Sequence, residues 1–167
     1  AMTTAPLITS VLGVFAHPDD ETIMAGGTLA MLHTRGVPTH LICATRGEGG
    51  ERGDPPVVAD QAALGPAREA ELRCAAGELG VTSLTLLGYV DPVVGPDDEL
   101  SPFAADFDEL AARIADLIAG CRAAVVLALA AVAPYLLVAS SGHRAMRFAA
   151  PALPACAALA ALALAAI

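Results

Sequence analysis

A chain of 167 residues that is 56% hydrophobic is long enough for one domain with a real core and too apolar to remain disordered. Its nine cations are all arginine, and eighteen Asp and Glu leave a net charge of −9, which excludes a phosphate backbone, and so nucleic acid, as a partner. Cys43, Cys74, Cys121 and Cys156 lie far apart with no C-x-x-C pair; they suit buried thiols in a reducing, cytoplasmic compartment better than disulfides or a thiolate zinc knuckle. The N-terminus has no basic region ahead of its apolar stretch and does not read as a secretory signal, and Ala1 before Met2 reads as an added residue.

The first element is a nine-residue segment rich in Leu, Ile and Val whose last part runs from Val11 to Phe15. It ends at Ala16-His17-Pro18-Asp19-Asp20-Glu21, so it reads as a buried parallel strand that delivers an imidazole and carboxylates to the crevice where open α/β sheets bind ligands. His17 and Asp20 can reach one cation from a single turn stiffened by Pro18. Asp19 is then left over, and a carboxylate beside a metal can take a proton from water whose pKa falls to about 7 on zinc. The same three acids would also start a helix, where carboxylates accept from free N–H groups. Both readings stand at this point.

Glu21 to Arg35 carries Ile23, Gly26, Gly27 and Ala30 at helical spacing and stops before Gly36. Two glycines inside a helix cost about 1 kcal/mol each relative to Ala, so Gly26-Gly27 suggests close backbone packing, the preferred reading, or room left for a ligand. Thr39 to Thr45 reads as a second buried strand running into the polar, glycine-rich loop 46–56, either an active-site loop or a solvated linker. Pro66 to Leu79 returns to helix, with Leu72, Ala75, Ala76 and Leu79 on one face and Gly80 as the stop; Ser83 to Leu87 is a third strand with Gly88 to Pro92 as its exit. Asp106 to Cys121 is the clearest helix, with Phe107, Leu110, Ile114, Leu117 and Cys121 on one face, Asp106 as N-cap and Glu109 completing a capping box. Ala123 to Ala128 follows as a fourth strand.

This order predicts an α/β, Rossmann-like fold: a mostly parallel twisted sheet with right-handed crossovers and helices on both faces. No G-x-G-x-x-G follows the first strand, which disfavours a dinucleotide.

From Ala123 the composition changes. All eighteen acids lie at or before Asp116, whereas residues 123–167 contain 19 Ala in 45 positions and only Arg144 and Arg147 as charges. Ala123–Ala139 and Phe148–Ile167 are charge-free runs of 17 and 20 residues, close to the roughly 20 that cross a bilayer. The alanine content and Pro134, Pro151 and Pro154 favour buried strand and helix over a membrane-inserted hairpin.

Taken together, A-H-P-D-D-E at 16–21, G-G-T at 26–28, T-R-G-E-G-G-E at 45–51, R-E-A-E-L at 68–72, L-G-V at 79–81 and L-G-Y-V-D at 87–91 resemble the LmbE-like, or PIG-L, deacetylase family. The resemblance spans Val11 to Val126 within a single α/β domain taken as 1–167. It implies a zinc-dependent hydrolase that removes an acyl group from an amide nitrogen, often the N-acetyl of a GlcNAc-containing small molecule. Family substrates include acetylglucosaminyl phosphatidylinositol, mycothiol precursors and conjugates, and glycopeptide antibiotics.

By motif match, His17 and Asp20 would hold zinc, Asp19 would be the general base, and Arg68 and Asp91 would contact substrate. The family's third ligand comes from a Gly-His-Pro-Asp-His motif after the fourth strand, and here only Gly142-His143 remains. Aligned with the last His of that motif, His143 is the third ligand, preceded by Ser140 and Ser141 in place of Pro and Asp. Aligned with the first, the ligand position falls on Met146, a poor partner for zinc. The first register is preferred. The alternatives are a family member that keeps the fold and a sugar pocket but has lost turnover, and a protein tethered to membrane by its apolar tail. His33, near a helix C-terminus, and His40, opening a strand, match no part of the pattern.

Overall fold

The computed structural model describes residues 8–92 and 103–127. Four strands form one parallel sheet in the order β3-β2-β1-β4: β1 Val11–Phe15, β2 Thr39–Cys43, β3 Ser83–Leu86 and β4 Val125–Leu127. Helices α1 Asp20–Thr34, α2 Leu64–Glu78 and α3 Phe107–Cys121 connect them. The α/β reading and the element order hold. β1 is shorter than the nine-residue segment that the apolar run suggested, because Ile8 already reaches 37% exposure and pairing begins at Val11.

The central strand is buried along its whole length, and its alternating side chains serve two cores. Leu12 and Val14 join Ile42, Leu87, Leu110 and Ile114 under α3, while Phe15 joins Leu41, Ala25, Leu29 and Ala76 under α1 and α2. Each of the Leu, Ile, Val and Phe side chains among them contributes about 1.5–3 kcal/mol by leaving water. Gly13 is required by this packing, since a Cβ there would lie 2.6 Å from the Phe15 ring and 2.9 Å from a Leu41 methyl.

The chain steps outward from β1 to β2 to β3 with α1 and α2 on one face, then returns to the far side of β1 with α3 on the other. That reversal is what a single crossover handedness demands. It also makes the carboxyl end of β1, beside β4, the topological switch point where such sheets bind ligands.

The structure corrects several details. α1 buries Glu21, Ala25, Gly26, Leu29 and Leu32, not the face through Ile23 and Gly27; Ile23 is 78% exposed. A Cβ at Gly26 would meet Leu79, Thr22 and Glu21 only at ordinary contact distances of 3.8–4.0 Å, and one at Gly27 nothing within 4 Å, so close packing does not explain the pair. In α3, Asp106 accepts from the N–H groups of Asp108 and Glu109 as an N-cap, and Leu110 and Ile114 are buried, but Phe107 is 49% exposed. Cys43 is buried whereas Cys74 is exposed, contrary to the expectation of buried thiols. Cys156, His143, Arg144 and Arg147 lie outside the described residues. Among the described residues no helix is long and apolar enough to cross a membrane.

Candidate metal centre

Strand pairing continues past the strand ends and assembles the site. The Ala44 and Thr45 N–H groups donate to the carbonyls of Phe15 and Ala16, and those of Leu87 and Tyr89 donate to Cys43 and Ala44. The Thr45 hydroxyl donates to the Ala16 carbonyl at 3.0 Å and accepts from the Gly47 N–H at 3.2 Å. Parallel register thus brings three segments side by side: His17 to Glu21, Arg46 to Gly50, and Asp91.

His17 has a different carboxylate at each ring nitrogen. Its Nε2 lies 2.9 Å from Asp91 Oδ1, and its Nδ1 faces Asp20 Oδ2 at 3.6 Å. Asp20 Oδ2 also accepts from the His17 N–H at 3.1 Å, which holds the turn closed. Burial opposes charge on the ring, but the hydrogen bonds and charges of Asp20 and Asp91 outweigh it and raise the His17 pKa to about 9.

Asp19 points elsewhere. It holds φ 89°, a left-handed conformation that Asp tolerates better than most residues, and it is the N-cap of α1 without a side-chain cap bond. Its Oδ2 accepts from Arg68 at 2.7 Å, and the same guanidinium donates to the carbonyls of Pro18 at 2.7 Å and Gly47 at 3.3 Å. Partial burial pushes the Asp19 carboxyl up, Arg68 pulls it down and Asp20 pushes it up; the net direction is upward. The side chain is 57% exposed, so water screens part of that rise. The helix-start reading therefore accounts for where the acids sit and not for where they point. Asp20 reaches back to His17, Glu21 accepts from the Asp19 N–H at 3.1 Å, and Asp19 reaches across to α2.

Two residues that sequence reasoning passed over organise this geometry. Glu48 accepts from the backbone N–H of Arg46 at 3.1 Å and of Asp91 at 3.3 Å, and pairs with the Arg46 guanidinium at 2.9 Å. Burial opposes its charge, yet these bonds and its own N–H hold its pKa below the ordinary value. Glu21 is 1% exposed and anchors the turn through Asp19 N–H and the Thr22 hydroxyl at 2.6 Å. Glu48 was visible only as part of the glycine-rich motif, and Glu21 only as a helix-start acid and the last residue of the A-H-P-D-D-E motif. The first half of the 46–56 loop, residues 46–50, is tied into the site, whereas Glu51 and residues 53–56 are exposed. Gln61 clamps the carbonyls of Glu48 and Gly50 at 2.7 and 2.9 Å, and the Gly49 N–H donates to Asp91 at 3.1 Å.

Arg68 and Asp91, implied as substrate contacts, are thus committed to Asp19 and to His17 and Gly49. His33 stacks against Gly80, and His40 bonds Ser83 at 2.7 Å, both remote from the His17 turn in the packing. Burial, with nearby Asp20 and Glu21, pushes the Cys43 thiol far up, which makes it an inert core group. Among the described residues no group of three His, Cys, Asp or Glu side chains converges to hold a metal; His17 and Asp20, expected as ligands, lie side by side, and His143 lies outside the described residues.

The sequence profile described as PIG-L, GlcNAc-PI de-N-acetylase, matches residues 12–153. The chain belongs to this family. The match runs beyond Val126, where the motif resemblance stopped, and takes in Gly142-His143. Among PIG-L relatives, the 1D-myo-inositol 2-acetamido-2-deoxy-alpha-D-glucopyranoside deacetylase of Acidothermus cellulolyticus is 39% identical over 133 residues, covering 72% of this chain and 46% of the relative. The "Probable N-acetyl-alpha-D-glucosaminyl L-malate deacetylase 2" of Bacillus cereus is 38% identical over 88 residues, covering 53% and 40%. Among solved structures, GalB, the 4-carboxy-2-hydroxymuconate hydratase of Pseudomonas putida KT2440, superposes with TM-score 0.55 at 30% identity, covering 71% of this chain and 45% of that one. The chain spans less than half the length of each of these three proteins.

Proposed function

We propose that the chain carries the hydrolytic centre of a zinc-dependent N-deacetylase acting on a small GlcNAc-containing molecule. The observation that carries this reading is the division of labour within one turn: His17 Nδ1 and Asp20 Oδ2 face each other at 3.6 Å while Asp19 stands apart, paired with Arg68 and more than half exposed. The donor set suits zinc. An imidazole and a carboxylate oxygen meet on one side, and Asp91 faces the far ring nitrogen, where the carboxylates that orient metal-ligating histidines usually accept. His17 and Asp20 would hold the ion, and His143 is proposed as the third ligand, with Asp91 as the partner that orients His17. Zinc, when bound there, acidifies water and polarises the amide carbonyl.

The remaining steps belong to the chain. Asp19 takes a proton from the attacking water, and its raised pKa brings it closer to the working range of a base. Arg68 holds the Asp19 carboxylate at the rim and ties that turn to the Gly47 carbonyl, so the base is preorganised. The protonated Asp19 then returns the proton to the leaving amine as the C–N bond breaks, giving acetate and the free amino sugar. Relatives named for GlcNAc-inositol and GlcNAc-malate deacetylation support the substrate class.

The test is acetate release from a GlcNAc conjugate by the zinc-loaded protein and by Asp19→Asn. The variant should keep its zinc and lose about 10²–10⁴-fold in rate. Equal loss of zinc would mean that Asp19 and Asp20 have exchanged roles. A second reading, hydration of a carbon–carbon double bond, is favoured by the likeness to the hydratase. It predicts loss of ultraviolet absorbance from a conjugated muconate with no acetate released from any amide.

A further inference from the structure

Helices α1 and α3 both begin at an Asp N-cap, and the two residues behave oppositely. Asp106 is extended at φ −77° and ψ 116°, and its side chain accepts from the Asp108 and Glu109 N–H groups, as N-cap residues ordinarily do. Asp19 is left-handed at φ 89° and ψ −29°, makes no side-chain bond to its own helix, and gives its carboxylate to Arg68 at 2.7 Å. A left-handed Asp persists only where its surroundings fix it. Glu21 supplies a fixing contact from inside: its Oε2 accepts from the Asp19 N–H at 3.1 Å, and its Oε1 accepts from the Thr22 hydroxyl at 2.6 Å. Glu21 shares the buried side of α1 with Ala25, Leu29 and Leu32, and at 1% exposure it stands where an apolar side chain would ordinarily pack. Packed there, it turns both carboxyl oxygens back onto the first turn.

We infer that Glu21 is a positioning residue for Asp19: by holding the Asp19 N–H it keeps that residue left-handed, so the Asp19 carboxylate is withheld from capping α1 and stays with Arg68 at the rim of the site. Its part in turnover rests on the deacetylase reading; its hold on Asp19 does not. Without that bond Asp19 relaxes toward the extended conformation of Asp106, and its carboxylate swings onto the N–H groups of the first turn, out of place to take a proton from water. His17 and Asp20 meet through their own contacts, so the effect falls on the base and spares the expected ligands.

The test compares Glu21→Ala and Glu21→Gln with wild type as zinc-loaded full chains. Glu21→Ala should keep its zinc and release acetate with kcat about 10–100-fold lower and KM changed by no more than about twofold. Glu21→Gln keeps an oxygen for the Asp19 N–H and an amide that can donate to the Thr22 hydroxyl, and should stay within about threefold of wild type. On an Asp19→Asn background Glu21→Ala should cost nothing further, because it acts through a carboxylate already removed. Apart from turnover, the Asp19 amide should exchange its hydrogen about tenfold or more faster in Glu21→Ala than in wild type or Glu21→Gln, with the amides of β1 and β2 unchanged. Glu21→Met fills the same volume without an acceptor and replaces Glu21→Ala if that variant does not fold. Unchanged kcat, parallel loss of zinc, no rescue by Gln, a further loss on the Asp19→Asn background, or an unchanged Asp19 amide would each overturn the inference. A wild-type chain that releases no acetate refutes the deacetylase reading, and amide exchange then decides whether Glu21 holds Asp19.

Discussion

His17 and Asp91 are 74 positions apart in the chain, yet His17 Nε2 and Asp91 Oδ1 lie 2.9 Å apart. In the neutral ring this contact favours the proton on Nε2 and leaves Nδ1 to face Asp20, the tautomer that the proposed metal site needs. Asp91→Ala should therefore lower zinc affinity about 10–100-fold with the fold retained. Competition against a chromophoric chelator, with circular dichroism as the control for folding, measures it; unchanged affinity would mean that Asp91 does not orient the His17 ring for metal.

The raised His17 pKa has a definite sign. Its folded value of about 9 exceeds the ordinary 6.5, so in metal-free protein the charged ring adds stability that is fully present below pH 6.5 and is lost as pH rises through 9. The stability advantage of wild type over His17→Gln, read from thermal melts, should shrink across that window. Zinc requires the neutral ring, so its binding at pH 7.5 should release close to one proton from His17. Calorimetry in two buffers of different ionisation enthalpy counts it.

His143 completes the proposed ligand set. His143→Ala should lower zinc retention sharply after dialysis against a weak chelator and lower acetate release with it, because two protein ligands hold a catalytic zinc poorly. His33→Ala, at the end of α1, should change neither. Equal zinc content in the two variants would send the third ligand elsewhere.

Two glycines should respond in opposite directions. A Cβ on Gly49 would drive into the Pro92 carbonyl, with its carbon 2.8 Å away, and would crowd Asp91 Oδ2 at 3.0 Å. Backbone cannot swing aside, so Gly49→Ala should cost about 1–3 kcal/mol and disturb Asp91. Gly27 lies inside α1 with nothing within 4 Å, and Gly27→Ala should stabilise by about 0.5–1 kcal/mol. Urea denaturation midpoints report both signs.

The order of strands and helices was legible in the sequence because its causes are local. Apolar runs closed by Gly36, Gly80 and the His17-Pro18 turn mark where elements end, and the helix starts at 20, 64 and 107 fall within two residues of the expected positions. The roles proposed for His17, Asp19 and Asp20 were likewise readable from residue chemistry at the end of a buried strand. The buried side of α1 was not. Both of its faces carry apolar or small residues, and the side that faces inward is the one that meets Phe15 and Leu41 on the sheet. What Arg68, Asp91 and Glu48 do was also beyond the sequence, since each acts on a partner brought near by parallel register and not by spacing along the chain. An ionisable side chain advertises its chemistry wherever it stands; whether it meets a substrate, a second carboxylate or a histidine depends on which strand ends the sheet sets side by side.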